Sequence, residues 1–249
     1  GGSAQQFSIQ KVNMCSGVTL DYSNKTLLGI GATTQLTGAV LPAEATNKVL
    51  VWSSSNTAVA TVDSNGLVTA TGAGNATITA MTQDGSNISA ACEITVFQDQ
   101  NIGDDFYAYI INTAGKYLTS DNTNVSICGG VEKAEQIWHF QRQNDNSYKV
   151  ISCLNGKVLD VANAGRVDGT NLDVYESNET WAQRWYICGE QGSYCFRAQC
   201  GELVIDIPNG ATEDGESVWM WTYNGGSAQQ FSIQKVNMCS GVTLDYSNK

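Results

Sequence analysis

Residues 156–185 read GKVLDVANAGRVDGTNLDVYESNETWAQRW, and residues 202–231 read ELVIDIPNGATEDGESVWMWTYNGGSAQQF. Laid over each other at a constant offset of 46 residues, they place Asp160 on Asp206, Tyr175 on Trp221, Gln183 on Gln229 and Trp185 on Phe231. A third copy runs from Tyr107 through Gly115-Lys116-Tyr117-Leu118 to Gln136-Ile137-Trp138, and is six residues shorter in the loop after its second strand. A supersecondary unit repeated at such a period builds one core from several copies. The ring of each Gln-x-aromatic motif is expected to point into that shared core, with the Gln amide satisfying backbone groups of its own lobe.

Upstream the texture changes. Residues 13–98 are rich in Thr, Val and Ala and carry short alternating runs, among them Val49-Leu50-Val51-Trp52-Ser53, Leu67-Val68-Thr69-Ala70, Ala76-Thr77-Ile78-Thr79-Ala80 and Cys92-Glu93-Ile94-Thr95-Val96. Period-two alternation predicts strands with one buried face. Ser64-Asn65-Gly66 and Asp84-Gly85 supply turns between them. Roughly seven strands in this length fit an antiparallel sandwich. A polar stretch, residues 99–104, reads as the linker to the threefold region at 105–236.

Residues 1–25 and 225–249 are identical. They read as one 224-residue period of a longer array plus an overlap, or as a duplicated terminus. In the array reading, residues 1–12 are the last strand of a preceding threefold unit and residues 237–249 begin the next sandwich. The opening Gly1-Gly2-Ser3 then lies mid-chain.

The net charge of -11 argues against nucleic acid as a partner, because phosphate binding needs a clustered basic surface. It also opposes binding to an anionic membrane, and no apolar run is long enough for membrane insertion. Eight cysteines without a CxxC pair, and a single histidine, His139, argue against a zinc site and for an oxidising compartment. No cofactor is implied. Asp104-Asp105 and Glu213-Asp214 read as solvated turns, and no nucleophile motif accompanies His139, so the expectation is a protein that is not an enzyme.

The stretches QLTGAVLPAEATNK (35–48) and WSSSNTAVATVDSNGLVTATGAGNATITA (52–80) resemble the bacterial immunoglobulin-like group 2 family, over residues 15–97. The recurring Gln-x-Trp resembles the ricin-type β-trefoil lectins, over residues 105–236. Together they imply an all-β chain, an immunoglobulin-like sandwich plus a β-trefoil, from a bacterial surface or secreted protein. The resemblance implies glycans as partners, and the repeat implies neighbouring copies of the same unit.

Sugar recognition needs an aromatic face and a few fixed polar groups. Carried over position by position, the lectin pattern assigns Asp160, Asp173, Tyr175, Asn178 and Gln183 in the second lobe, and Asp206, Trp219, Trp221, Asn224 and Gln229 in the third. The first lobe carries Thr119 and Cys128 where the Asp and the aromatic belong, so it is expected to be inactive. Ala182 and Ala228 stand where the family often has Asn, a departure from the pattern.

Within the sandwich resemblance, Cys15 and Cys92 open the end strands and are expected to form a disulfide, or else to be two buried thiols. Cys188 and Cys195 flank the turn Gly189-Glu190-Gln191-Gly192 and are expected to face each other and bond. Cys153 and Cys200 occupy nearly matching positions, and Cys128 is left over. One period carries an odd number of cysteines, which implies a free thiol or an interchain bond.

Overall fold

The computed structural model describes residues 11–130, 133–201 and 203–236. Two compact units meet between Phe97 and Gln98.

The first unit holds β1 (Gly17–Leu20), β2 (Asn24–Leu28), β3 (Thr33–Gln35), β4 (Gly38–Leu41), β5 (Leu50–Ser54), β6 (Ala60–Val62), β7 (Leu67–Ala70), β8 (Gly74–Thr82) and β9 (Ser89–Phe97). A four-stranded sheet, β2-β9-β8-β5, supplies Ile78 and Ile94 to the core. A three-stranded sheet, β3-β7-β6, supplies Ala60 and Val68 to the same core. The strands β2, β3 and β4 lack a clean alternation, and only the pairing reveals them; β2 runs parallel to β9. The turn at Gly66 requires glycine twice over. Its φ is +85°, and a Cβ there would stand 2.5 Å from Leu36 O and 2.9 Å from the Trp52 ring.

The expected Cys15–Cys92 disulfide does not form, because Cys15 lies at the turn beyond β8 while Cys92 lies in the middle of β9. Cys15 precedes β1, where its backbone N–H donates to Asp84 Oδ2 (2.6 Å) and its thiol to Asn47 O (3.2 Å). Cys92 lies inside β9, opposite Ile78. From Ile78 to the end of β8 is on the order of 13 Å, and Asp84 lies beyond that end; a disulfide tolerates only about 7 Å between Cα atoms.

The second unit holds β10 (Asp105–Asn112), β11 (Tyr117–Ser120), β12 (Val125–Cys128) and β13 (Trp138–Arg142) in its first lobe. The second lobe is β14 (Tyr148–Ser152), β15 (Val158–Val161), β16 (Thr170–Tyr175) and β17 (Trp185–Glu190). The third is β18 (Ser193–Ala198), β19 (Leu203–Asp206), β20 (Trp219–Thr222) and β21 (Phe231–Val236). Six strands close a ring, β10-β13-β14-β17-β18-β21, with β21 returning to β10 over Asn112↔Phe231 to Tyr107↔Val236. Closure removes the exposed edges that an open sheet would leave. The remaining six strands are three hairpins, β11-β12, β15-β16 and β19-β20, one per lobe. They meet one another at Asn124↔Asp173, Ser126↔Ser217 and Thr170↔Met220.

Trp138, Trp185 and Phe231 are fully buried in one core. Phe196 bridges the lobes, with its ring 6.3 Å from Phe140 and 5.8 Å from Phe231. The two indoles also donate hydrogen bonds, Trp138 Nε1 to Leu118 O (2.9 Å) and Trp185 Nε1 to Leu159 O (3.0 Å). The expected strand over residues 1–12 and the start of a further sandwich over 237–249, including Cys239, fall outside the described residues but for 11 and 12.

Replacing Trp185 by Phe keeps the apolar ring and strands the Leu159 carbonyl. We expect a loss of about 1–3 kcal/mol, the cost of a buried unpaired polar group, measured by urea unfolding of the full chain. Unchanged stability would show that the indole contributes only its volume.

Candidate functional site

The β15-β16 hairpin sets Asp160 directly opposite Asp173. With Tyr175, Asn178, Thr180 and the turn at Asn163-Ala164, they line a cleft of about 380 Å³. Tyr175 is 57% exposed, while Asp160 is 6% exposed. An aromatic face at the rim and carboxylates at the floor are the ingredients of a sugar site. Asp160 Oδ2 and Asp173 Oδ1 are both buried without a hydrogen-bond donor. Burial, and then the neighbouring Asp160 charge, push the Asp173 carboxyl up to about 6, against a weaker pull from Lys157. Burial also raises Asp160, partly offset by the Gln183 amide.

The third lobe repeats the frame with different chemistry. Its cleft, about 460 Å³, is lined by Asp206, Asn209, Gly210, Trp219, Trp221 and Asn224 among others. Asp206 again lies at the floor, 6% exposed. Its strand partner is Trp219, whose Nε1 donates to Asp206 Oδ1 (3.2 Å). The Trp219 and Trp221 rings lie 5.2 Å apart, tilted by 35°. Here the carboxylate has a donor, and the cleft has two indoles. In the first lobe the same positions hold Thr119, opposite Ser126, and Cys128, opposite Tyr117, so neither carboxylate nor exposed ring is offered there.

Gln183 and Gln229 prove to be fully buried and do not line the clefts. Gln183 accepts from Asn178 N (3.0 Å) and donates to Glu176 O (2.9 Å). Gln229 accepts from Asn224 N (2.8 Å) and donates to Thr222 O (2.9 Å). They hold the loop that carries the site and leave no amide atom for a ligand. Asn178 and Asn224 reach the clefts, but their amide oxygens are used locally, by Thr180 N (3.1 Å) and Gly226 N (2.7 Å).

Several cleft residues had no signal in the motif. Asn163 and Ala164 stand at φ +55° and +50°, and Asn209 and Gly210 at +52° and +65°, so a left-handed turn forms one wall of each cleft. Left-handed backbone costs a non-glycine residue energy and clusters at functional sites. Trp181 is 64% exposed beside Thr180, where the third lobe has Ser227. The second-lobe loop is pinned by Glu179, which pairs with both Lys149 and Arg184 (2.5 Å each).

The fold agrees with comparison to known proteins. A model of the ricin-type beta-trefoil lectin domain-like family matches residues 96–175, 134–221 and 181–248, overlapping as a threefold unit would. The chain belongs to that family. A bacterial Ig-like domain (group 2) precedes the lectin unit, at residues 15–94. An uncharacterised protein of Clostridium acetobutylicum is 45% identical over 83 residues, which is 33% of this chain and 8% of that protein. This chain is thus similar to a small part of a much longer relative. A designed threefold-symmetric protein, ThreeFoil, covers 52% of this chain and 99% of its own, at 28% identity and TM-score 0.51. The Polyporus squamosus lectin, solved with a sialylated Neu5Ac-Gal-GlcNAc epitope, covers 54% of this chain and 50% of its own, at 20% identity and TM-score 0.50.

The lectin cleft gives a pH-dependent prediction. A carboxyl raised in the folded state contributes stability that is present below its unfolded value and lost as pH rises through about 6. Asp173→Asn should therefore stabilise the protein at neutral pH and do nothing at about pH 2.5, where Asp is protonated in both states. Solvent screening of the partly exposed group limits the gain to about 1 kcal/mol, or about 2–4 °C in Tm. Melting curves of both proteins at the two pH values test this. A gain of equal size at both would assign it to packing rather than charge.

Proposed function

We propose that this chain is a glycan-binding module of a bacterial surface or secreted protein, with working sites in the second and third lobes and none in the first. The single observation that carries this reading is the recurrence of a buried Asp and an aromatic ring lining the same cleft, Asp160 with the exposed Tyr175 and Asp206 with the half-buried Trp221. Nothing in the pattern suits catalysis better. Asp104 pairs with Arg142 and Asp214 with Lys116, as charged turns do. His139 stacks on Tyr107 and contacts Asp105, away from both clefts.

Each site is shallow, and a millimolar constant corresponds to about -4 kcal/mol. Linked sites raise avidity by about 10²–10⁴ where geometry permits. The identical ends at 1–25 and 225–249 suit such an array, with the immunoglobulin-like units as spacers and neighbouring repeats as partners in an adhesive fibre. A glycan array on the full chain tests the reading. Binding should fall about tenfold in Tyr175→Ala and in Trp221→Ala, and vanish in the double variant, because each removes a stacking face worth about 1 kcal/mol or more. No binding by the wild type would favour a purely structural stalk.

An extracellular setting also bears on the cysteines. Among the described residues all seven cysteines are thiols. Cys188 and Cys195 are directly opposed in the β17-β18 hairpin. Cys188 is held far up by its hydrogen bond to Cys195 and by burial, and it also donates to Asp99 Oδ1 (3.2 Å). Under oxidation we expect a Cys188–Cys195 bond, read by peptide mapping as a linked pair. A Cys15–Cys92 link in the same map would contradict the strand placement described above.

A further inference from the structure

The second-lobe cleft differs from the third in one respect that bears on its ligand. Its floor holds two carboxylates where the third lobe holds one. Asp160 and Asp173 are strand partners. Asp160 is more than nine-tenths buried and lines the cleft. One oxygen of each carboxylate is enclosed without any donor. The basic residue acting on Asp173 is Lys157, and its ammonium is bound to Asn122 O (2.7 Å). In the third lobe the matching position is Trp219, whose N–H serves Asp206. The third-lobe carboxylate is thus served by an indole N–H, while the second-lobe floor carries two carboxylates, eased by the Gln183 amide and by Lys157 but each with one oxygen left without a donor. Buried charges need a partner, and the open side of this pair is the cleft.

A neutral sugar brings hydroxyl hydrogens but no charge, so the carboxylate repulsion remains. A divalent cation needs six or more oxygens in the calcium case, and among the described residues no group of three His, Cys, Asp or Glu side chains is placed to hold a metal. A sugar with a free amine brings both the ring for Tyr175 and the charge for the floor, through charge-assisted hydrogen bonds. We propose that the second-lobe cleft selects a glycan carrying a protonated amine, a non-acetylated hexosamine, with its ammonium against the Asp160 and Asp173 carboxylates. This rests on the lectin reading and adds a substrate class to one of its two sites. The third lobe, with its served carboxylate and paired indoles, takes neutral sugars.

The test is a heteronuclear NMR titration of the full chain at about pH 7, where Asp173 is ionised. The probes are galactosamine and glucosamine, their N-acetyl forms, and galactose and glucose. Trp221→Ala silences the third lobe. In that background an amine sugar should bind about tenfold more tightly than its N-acetyl form, the ratio that one charge-assisted contact of about 1.4 kcal/mol gives. Shifts should centre on residues 160–180, and added salt should weaken the amine sugar alone. Asp173→Asn should bring the ratio to about 1. Equal affinity for amine and N-acetyl forms, a ratio unmoved by Asp173→Asn, or shifts scattered over the acidic surface would overturn the proposal. In those outcomes binding of neutral sugars keeps the lectin reading. Absence of any sugar binding by the wild type removes both.

Discussion

The Gln-x-aromatic motif ties the core to both walls of each cleft, and the rest of the lectin unit depends on that tie. In the second lobe the Trp185 indole fills the core and donates to Leu159 O, next to Asp160. Two residues earlier, Gln183 clamps Glu176 O and Asn178 N, next to Tyr175. A single short segment therefore fixes the carboxylate relative to the ring. The indole bond is buried and the two Gln183 bonds are partly buried, where an unpaired carbonyl or amide is expensive, so the geometry is specified by the same groups that close the core. A binding site preorganised in this way spends little of its binding energy on ordering loops.

The third lobe shows what happens when half of the tie is missing. Phe231 fills the core as the indole does but has no N–H to offer. Asp206 is instead engaged from the other side by Trp219 Nε1. The carboxylate stays at the floor, 6% exposed, in both lobes, held by different donors. The first lobe keeps the core tie, Trp138 Nε1 to Leu118 O, yet Thr119, Ser126 and Cys128 stand at the three cleft positions. Core and cleft are thus separable: the frame needs the inward ring, and the cleft chemistry is set by three outward positions on one hairpin.

That separation explains what was legible in the sequence. The constant offset exposed the three lobes, the inward rings and the Asp-aromatic pairs, because each is a residue type at a fixed distance from a core position. It assigns the glutamines both to backbone groups of their own lobe and to the ligand, and burial leaves them the first role. Proximity to a site in sequence does not distinguish a side chain that faces the ligand from one that holds the wall. Asn163, Ala164 and Asn209 were not legible, since their contribution is a left-handed turn and residue identity only weakly encodes it. Trp181 was hidden because the repeat has Ser227 there, so alignment within the chain gave it no role. In the sandwich, β2, β3 and β4 were missed for lack of alternation. The Cys15–Cys92 pairing fails because the first and last strands do not pair: β1 takes β4 as its neighbour and β9 lies between β2 and β8.

The Asp160–Asp173 pair departs from good core chemistry. Burial raises both carboxyls, and the Asp160 charge raises Asp173 further, so at neutral pH the folded state carries a cost that Thr119 with Ser126 does not. A cost of this kind is tolerated when the surrounding structure over-determines the geometry, and here the closed ring, the Gln183 clamp and the Glu179 ion pairs do so. Perturbed carboxylates at the floor of an open cleft, each with one oxygen lacking a donor, mark a functional position more often than a structural one. Their strain is relieved only by a proton or by a cation entering from solvent. Which of the two arrives at neutral pH decides whether the second lobe reads charge or merely tolerates it.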